Sequence, residues 1–323
     1  MKIATTTGDF LNYIDPADIS GALTLLADSG FRYADLNLGG AFYEGSPLCG
    51  DDWEKWTDDI GNTAARLGIG LVQAHSSDTE YEYGERRDYL TSMIEREIKI
   101  CGILGIEQMI VHAVYTHQGE REPFMEKNTE LYKSLMITAE MENVGICTEN
   151  TCLGNCPHYF LFDAEDLNEL CTRVDHPLFG ACWDVGHGHW QHVDPYETVM
   201  ALGKNLKALH VHDNFGDYDR HIQPHAGNFC FDALLQGLKD SGYTGVYTLE
   251  AFCAPVASDF CNCARRPYIK DGVVYDKALM PPVSIKIRSE RLMLDTVKWM
   301  LDAYGILNNH DRNLASEKYS RFR

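Results

Sequence analysis

Asp184 and His187 stand three residues apart at the end of a short apolar run, Leu178–Trp183, with Gly186 between them to let the chain turn. An acid and an imidazole delivered together suit a borderline divalent ion, which accepts oxygen and nitrogen ligands alike. The pattern recurs: His75, His112, Glu149, His210 and Glu250 each close another short apolar run. Glu149, Asp184, His210 and Glu250 make a set of three carboxylates and one imidazole. Such a set fits Mn²⁺, Zn²⁺, Co²⁺ or Mg²⁺, with manganese favoured by the carboxylate share. An ion held there would polarise a carbonyl and acidify a neighbouring hydroxyl. Two carboxylates beside one substrate can take a proton from carbon and return one. Three negative ligands leave the site net negative, which favours a neutral polyol or hydroxyketone over a phosphate.

The elements that must gather these residues alternate along the chain. Apolar runs at Ile3–Thr6, Tyr33–Leu38, Leu71–Ala74, Gln108–Val111, Gly145–Thr148, Leu178–Trp183, Leu206–Leu209 and Gly245–Leu249 read as buried strands. Stretches with helical spacing lie between them: Pro16–Asp28, Asp52–Leu67, Glu85–Leu104, Met125–Glu142, Asp163–Arg173, Pro195–Leu202 and Phe231–Ser241, with Arg288–Tyr304 closing the series. Strands alternating with helices predict a parallel sheet, and eight units predict a (β/α)8 TIM barrel. All the strand C-termini of such a barrel open on one face, where active sites sit. The reading is a single domain over 1–307, with an insertion at 251–286 after strand eight and a polar tail at 308–323. The insertion, with Pro255, Pro267, Pro281 and Pro282, is long enough for a lid or an oligomer contact, or it is a plain surface excursion.

Composition narrows the partners. The 323 residues carry a formal charge of −20. An acidic surface repels phosphate backbones, so nucleic acid is not an expected partner. No run of about 18 apolar residues occurs, so no membrane span is expected. Cysteines scattered through apolar runs, such as Cys101, Cys147 and Cys182, suit free thiols in a reducing cytoplasm. Cys152 and Cys156 with Cys261 and Cys263 are poorly spaced for a closed zinc site. Trp53 and Trp56 read as helix packing, and Phe42–Tyr43 as pocket wall.

The motifs Thr148-Glu149-Asn150, Asp184-Val185-Gly186-His187, His210-Val211-His212-Asp213-Asn214 and Tyr247-Thr248-Leu249-Glu250 resemble those of the xylose-isomerase-like TIM barrels, a superfamily of sugar isomerases and epimerases. The segment Asp219–Gly227 adds to the likeness, which covers roughly residues 1–250 and the last helix. In its ketose 3-epimerase branch the resemblance implies one metal, usually manganese, on Glu149, Asp184, His210 and Glu250. It implies Glu149 and Glu250 as the acid–base pair and His187 against a substrate oxygen, with His75, His112 and His221 as further substrate contacts. His212 is then a supporting residue. Other branches stay open: elimination or dehydration on a keto sugar, an apurinic-site endonuclease with three zinc ions, and a sugar-binding subunit without catalysis. Pairing as a homo-oligomer, or with a small subunit, is expected on the same ground.

Overall fold

The computed structural model describes residues 1–77, 87–114, 119–152, 158–255 and 265–308. Eight strands lie parallel: β1 (Lys2–Thr6), β2 (Tyr33–Asn37), β3 (Gly70–His75), β4 (Gln108–Ile110), β5 (Gly145–Glu149), β6 (Phe179–Asp184), β7 (Leu206–His210) and β8 (Val246–Leu249). From β1 to β7 each pairs with its neighbour in sequence, and β1 also pairs with β8. Just past β7, the Val211 N–H donates to Thr248 O at 2.9 Å and Val211 O accepts from the Glu250 N–H at 3.0 Å. These bonds draw β7 against β8 and bring the sheet to a nearly closed TIM barrel. Parallel strands buried on both faces read as continuous apolar runs, which is why the runs above are mostly hydrophobic.

The helices are α1 (Ile19–Ser29), α2 (Trp53–Leu67), α3 (Arg87–Leu104), α4 (Arg121–Glu142), α5 (Ala164–Val174), α6 (Val185–Trp190), α7 (Pro195–Leu202), α8 (Phe231–Asp240) and α9 (Val283–Ala303). Their ends obey local chemistry. Asp163 and Asp194 accept first-turn N–H groups of α5 and α7, and Gly30 and Gly68 take the left-handed conformation that stops α1 and α2. Trp56 packs α2 on α1 and donates to Ala17 O at 2.9 Å, in keeping with its reading as a packing residue.

Several boundaries differ from expectation. β4 ends at Ile110, so His112 lies two residues beyond the strand. The segment after Asp184 is a short helix, not an open turn, because the Asp184 carboxylate accepts the His187 N–H and caps it. Gly186 is needed there for space: a methyl group at that position would run into the His212 ring. α9 begins at Val283 and so takes the last residues of the expected insertion. Within the rest of that insertion, β9 (Tyr268–Lys270) and β10 (Val273–Tyr275) form an antiparallel ribbon. Asp271 and Gly272 turn it with φ of 51° and 77°, the conformation an Asp-Gly hairpin loop adopts. Cys156, Cys261, Cys263 and the tail from residue 309 lie outside the described residues. Among those described, Cys101, Cys147 and Cys182 are buried free thiols, and no helix is long and apolar enough to cross a membrane.

The base of the insertion is tied to α9 by a buried cation. Lys286 is fully buried, 2.6 Å from Glu290 Oε1, and donates to Ala254 O at 2.7 Å and Phe252 O at 3.3 Å. Asp9, at the end of the β1 loop, is also buried and hydrogen-bonded to the Thr5 hydroxyl. Burial, then the nearby Asp9 carboxylate, holds the Glu290 carboxyl well above the usual range against the pull of Lys286. Removing one partner of a buried pair strands the other charge, at about 3–5 kcal/mol. Lys286→Ala is therefore expected to lower the unfolding free energy by about that amount, and Lys286→Met/Glu290→Leu by clearly less. Urea titration of the three proteins distinguishes this from a cluster of no consequence, in which all three would unfold at one midpoint.

Candidate active site and metal centre

The strand ends deliver their side chains to one mouth of the barrel. Glu149 is the last residue of β5, Asp184 of β6 and His210 of β7, and Glu250 follows β8. One ligand atom from each of the four lies within 4.8 Å of every other. His210 Nδ1 is 3.1 Å from Glu149 Oε1 and 3.5 Å from Glu250 Oε2. Both His210 Nδ1 and Asp184 Oδ2 are buried without a hydrogen-bond partner. Buried polar atoms are seldom left unsatisfied. Two of them aimed at one point, beside two carboxylates, fit a divalent cation.

The surrounding groups hold this set in register. Asn150 bridges the ends of β5 and β6, accepting the Asp184 N–H at 2.7 Å and donating to Asp184 O at 3.0 Å. Asp184 Oδ1 is spent on the α6 cap, which leaves Oδ2 for the centre. Asn214 donates to Gly186 O at 2.8 Å and Asp213 accepts from Asn214, Gly227 and Phe229 N–H groups, so the loop after β7 is fixed to α6. The amide of Gln73 contacts His210 Nε2 at 3.0 Å, and Thr248 donates to the Gln73 carbonyl at 3.1 Å. A partner on Nε2 turns Nδ1 inward, the usual way a ligating imidazole is oriented.

Charge balance is local. Burial pushes Glu149 up, but the imidazole of His210 beside it, with His112 hydrogen-bonded to it and His75 close by, holds it well below the usual carboxylate range. Burial pushes His210 down, but the Cys182 sulfur, Glu149 and Glu250 raise it well above the usual imidazole value. A fourth carboxyl, Asp35 of β2, is buried in the barrel and pushed up to about 6, by burial first and with Glu250 and Glu149 adding to it.

Two more groups adjoin the centre. His112 Nε2 and His75 Nε2 lie 3.2 and 3.6 Å from Glu149 Oε2, and both rings are only partly buried. His187, His212, Asp219 and His221 form a separate, wholly buried cluster that also has the makings of an ion site. His187 and His221, expected to face the substrate, both lie in this cluster. His187 Nδ1 meets Asn150 O at 2.9 Å and its Nε2 meets Asp219 Oδ2 at 3.1 Å. His221 meets Glu250 O and Asp219 Oδ2 at 2.8 and 3.2 Å, and Phe252 stacks on its ring. α6 folds His187 inward, and the Asp219 carboxylate collects both rings. His212 Nε2, 3.2 Å from Asp184 Oδ1, joins this second group to the first. Phe42, expected as pocket wall, packs against the core, and Tyr43 donates to Asp15 at the surface.

Sequence reasoning passed over Asp35, Gln73 and Asp9. Asp35 and Gln73 each interrupt an apolar strand, and a polar residue in a strand buried on both faces was the available signal. Asp9 had none beyond its place after β1.

Parallel strands closing on a mouth of carboxylates and imidazoles define a TIM barrel with a candidate metal centre. The chain belongs to the xylose isomerase-like TIM barrel family, whose model matches residues 10–274. An uncharacterized protein, y4fM, of Sinorhizobium fredii is 24% identical over 200 residues, 55% of this chain and 62% of that protein. Another, MJ1311 of Methanocaldococcus jannaschii, is 26% identical over 152 residues, 46% of this chain and 51% of that one. The chain thus spans about half to three-fifths of the length of these curated relatives. Among solved structures, a D-psicose 3-epimerase with D-tagatose from Clostridium cellulolyticum superposes with a TM-score of 0.72 at 16% identity, covering 93% of this chain and 99% of that one. The 3-keto-D-glucoside 4-epimerase of E. coli gives 0.63 at 16% identity, over 78% and 92%. The IOLI protein with a bound zinc atom gives 0.70 at 16% identity, over 95% and 100%.

Because His210 is held above its usual range, an ion must displace its proton. Titrating metal-free protein with Mn²⁺ at pH 7 in buffers of different ionisation enthalpy is expected to show proton release on binding. Affinity is expected to fall as pH is lowered. Binding that is independent of both pH and buffer would contradict the ligand assignment.

Proposed function

We propose that the chain is a metal-dependent isomerase or epimerase of a small ketose or related keto-polyol. Glu149, Asp184, His210 and Glu250 are the ligands, and Mn²⁺ is the favoured ion, with Zn²⁺, Co²⁺ or Mg²⁺ as substitutes. The observation that carries this is the convergence of unpartnered His210 Nδ1 and Asp184 Oδ2 between Glu149 and Glu250. The bound ion would supply polarisation of the substrate carbonyl.

The protein's own groups do the rest. Glu149 is kept ionised by its imidazole neighbours, the form in which a carboxylate can act as a base. One of Glu149 and Glu250 takes the proton from the carbon beside the carbonyl, and the C–H pair moves into that bond as the carbonyl π pair shifts to oxygen. The other returns a proton to carbon, so the proton count is unchanged. His75 and His112, partly exposed beside Glu149, are positioned to bind substrate hydroxyls. His187 and His221 act through Asp219 to fix the loops that carry Asp184 and Glu250. The net-negative mouth suits an uncharged sugar.

Glu149→Gln and Glu250→Gln are each expected to abolish solvent deuterium incorporation into product, a loss of at least about 10²-fold for a positioned acid–base group. Full exchange in either variant would overturn the assigned roles. A panel of ketoses and 3-keto glycosides separates epimerisation from elimination. The second buried cluster favours one rival, a multi-ion hydrolase. Metal analysis of protein purified without chelator separates them: one tightly held ion per chain supports the proposal, and three zinc ions would support the rival.

A further inference from the structure

Glu250 is held differently from the other three ligands of the candidate centre. Glu149, Asp184 and His210 are the last residues of their strands, whereas Glu250 lies one residue past the end of β8. It is also the most exposed of the four, with 18% of its side chain accessible. Its own backbone is bonded on the β7 side only: the Glu250 N–H donates to Val211 O, and the His221 ring meets Glu250 O. The chain that follows is held from the other side, by a buried ammonium. Lys286 Nζ donates to Ala254 O at 2.7 Å and to Phe252 O at 3.3 Å, so two carbonyls just after Glu250 end on one group of α9.

The ammonium is in turn fixed and kept charged. Glu290 Oε1 stands 2.6 Å from Lys286 Nζ. Burial alone would lower the Lys286 pKa, but Glu290 and then Asp9 outweigh it and hold the group above the ordinary lysine value. Asp9 is tied to the barrel seam through Thr5, which pairs with Leu249 and donates to Asp9 Oδ2 at 2.6 Å. The Tyr13 hydroxyl donates to Pro281 O at 2.9 Å, so the segment after β1 is also bonded to the start of α9. As a fastening this group is a poor choice, because a buried ion pair recovers little more than the hydration it forfeits, and apolar side chains of similar volume hold elements together as well. Apolar contact cannot supply what Lys286 does supply, which is a donor for two carbonyls and hence a fixed path for the chain leaving Glu250. We propose that Lys286, held by Glu290, is a positioning residue that keeps the Glu250 carboxylate directed at the ion site. The inference rests on Glu250 being a ligand, as in the function proposed above.

A double-mutant cycle on Mn²⁺ affinity tests this, with free Mn²⁺ read by electron paramagnetic resonance on the full chain. Lys286→Met/Glu290→Leu removes the ammonium and its counter-charge together, and is expected to weaken Mn²⁺ binding about tenfold, as loss of a group that orients a ligand does. Glu250→Gln is expected to weaken binding at least as much. In the Glu250→Gln background the Lys286 and Glu290 changes are expected to cost no more than about twofold further, because they act through that carboxylate. If Glu250→Gln weakens binding but Lys286→Met/Glu290→Leu leaves affinity unchanged and only lowers the unfolding midpoint, Lys286 is a fastening and the inference is overturned, with the ion site still standing. Full additivity of the two losses overturns it in the same way. Unchanged affinity in Glu250→Gln overturns the ion site itself, and the inference with it. Should the double variant fail to fold, Lys286→Gln is carried through the same cycle and judged by the same outcomes.

Discussion

Burying carboxylates at the mouth of a barrel is the constraint on which this structure turns. Each buried ion forfeits several kcal/mol of hydration unless something opposite in charge stands close. Glu149, Asp184, Asp35 and Asp219 are all almost wholly inaccessible. The fold answers with imidazoles. His75, His112 and His210 surround Glu149, while His187, His212 and His221 surround Asp184 and Asp219. Those rings rest in turn on Asn150, Gln73 and backbone carbonyls of the strand-end loops. The barrel is therefore a scaffold for repulsive charge. Among the places where buried polar atoms are left without a hydrogen bond, one brings His210 Nδ1 and Asp184 Oδ2 together beside Glu149 and Glu250.

The same constraint explains what the sequence made legible. A parallel strand must be apolar on both faces, so an acid or imidazole at its end is conspicuous. That contrast located Glu149, Asp184, His210 and Glu250 and fixed the barrel's alternation of strand and helix. It could not say how side chains divide among neighbouring clusters. His187 is three residues from Asp184 in sequence, yet the capped turn of α6 rotates it onto Asp219. Asp35 and Gln73 are interior polar residues inside apolar strands, and their partners come from strands far away in sequence. Lys286 and Glu290 look like any surface pair one helical turn apart until the β1 loop and the strand-eight loop close over them.

The insertion gained meaning from its two ends. Its start follows Glu250 directly, and its end is the first turn of α9, so Lys286 connects an element outside the barrel to the loop beside the site. The loop also carries Phe252, stacked on His221 at 4.4 Å. The Asp271-Gly272 turn between runs of tyrosine, isoleucine and valine was a hairpin signal in the sequence, overshadowed by the prolines around it.

The proposed function requires an ion between β5, β6, β7 and β8, held by Glu149, Asp184, His210 and Glu250. Crystals grown with Mn²⁺ and measured near the manganese edge test it most directly. An anomalous peak is expected within bonding distance of those four side chains, with Nδ1 of His210 as the nitrogen ligand. A peak confined to His187, His212, Asp219 and His221, with none between Glu149 and Glu250, would contradict it.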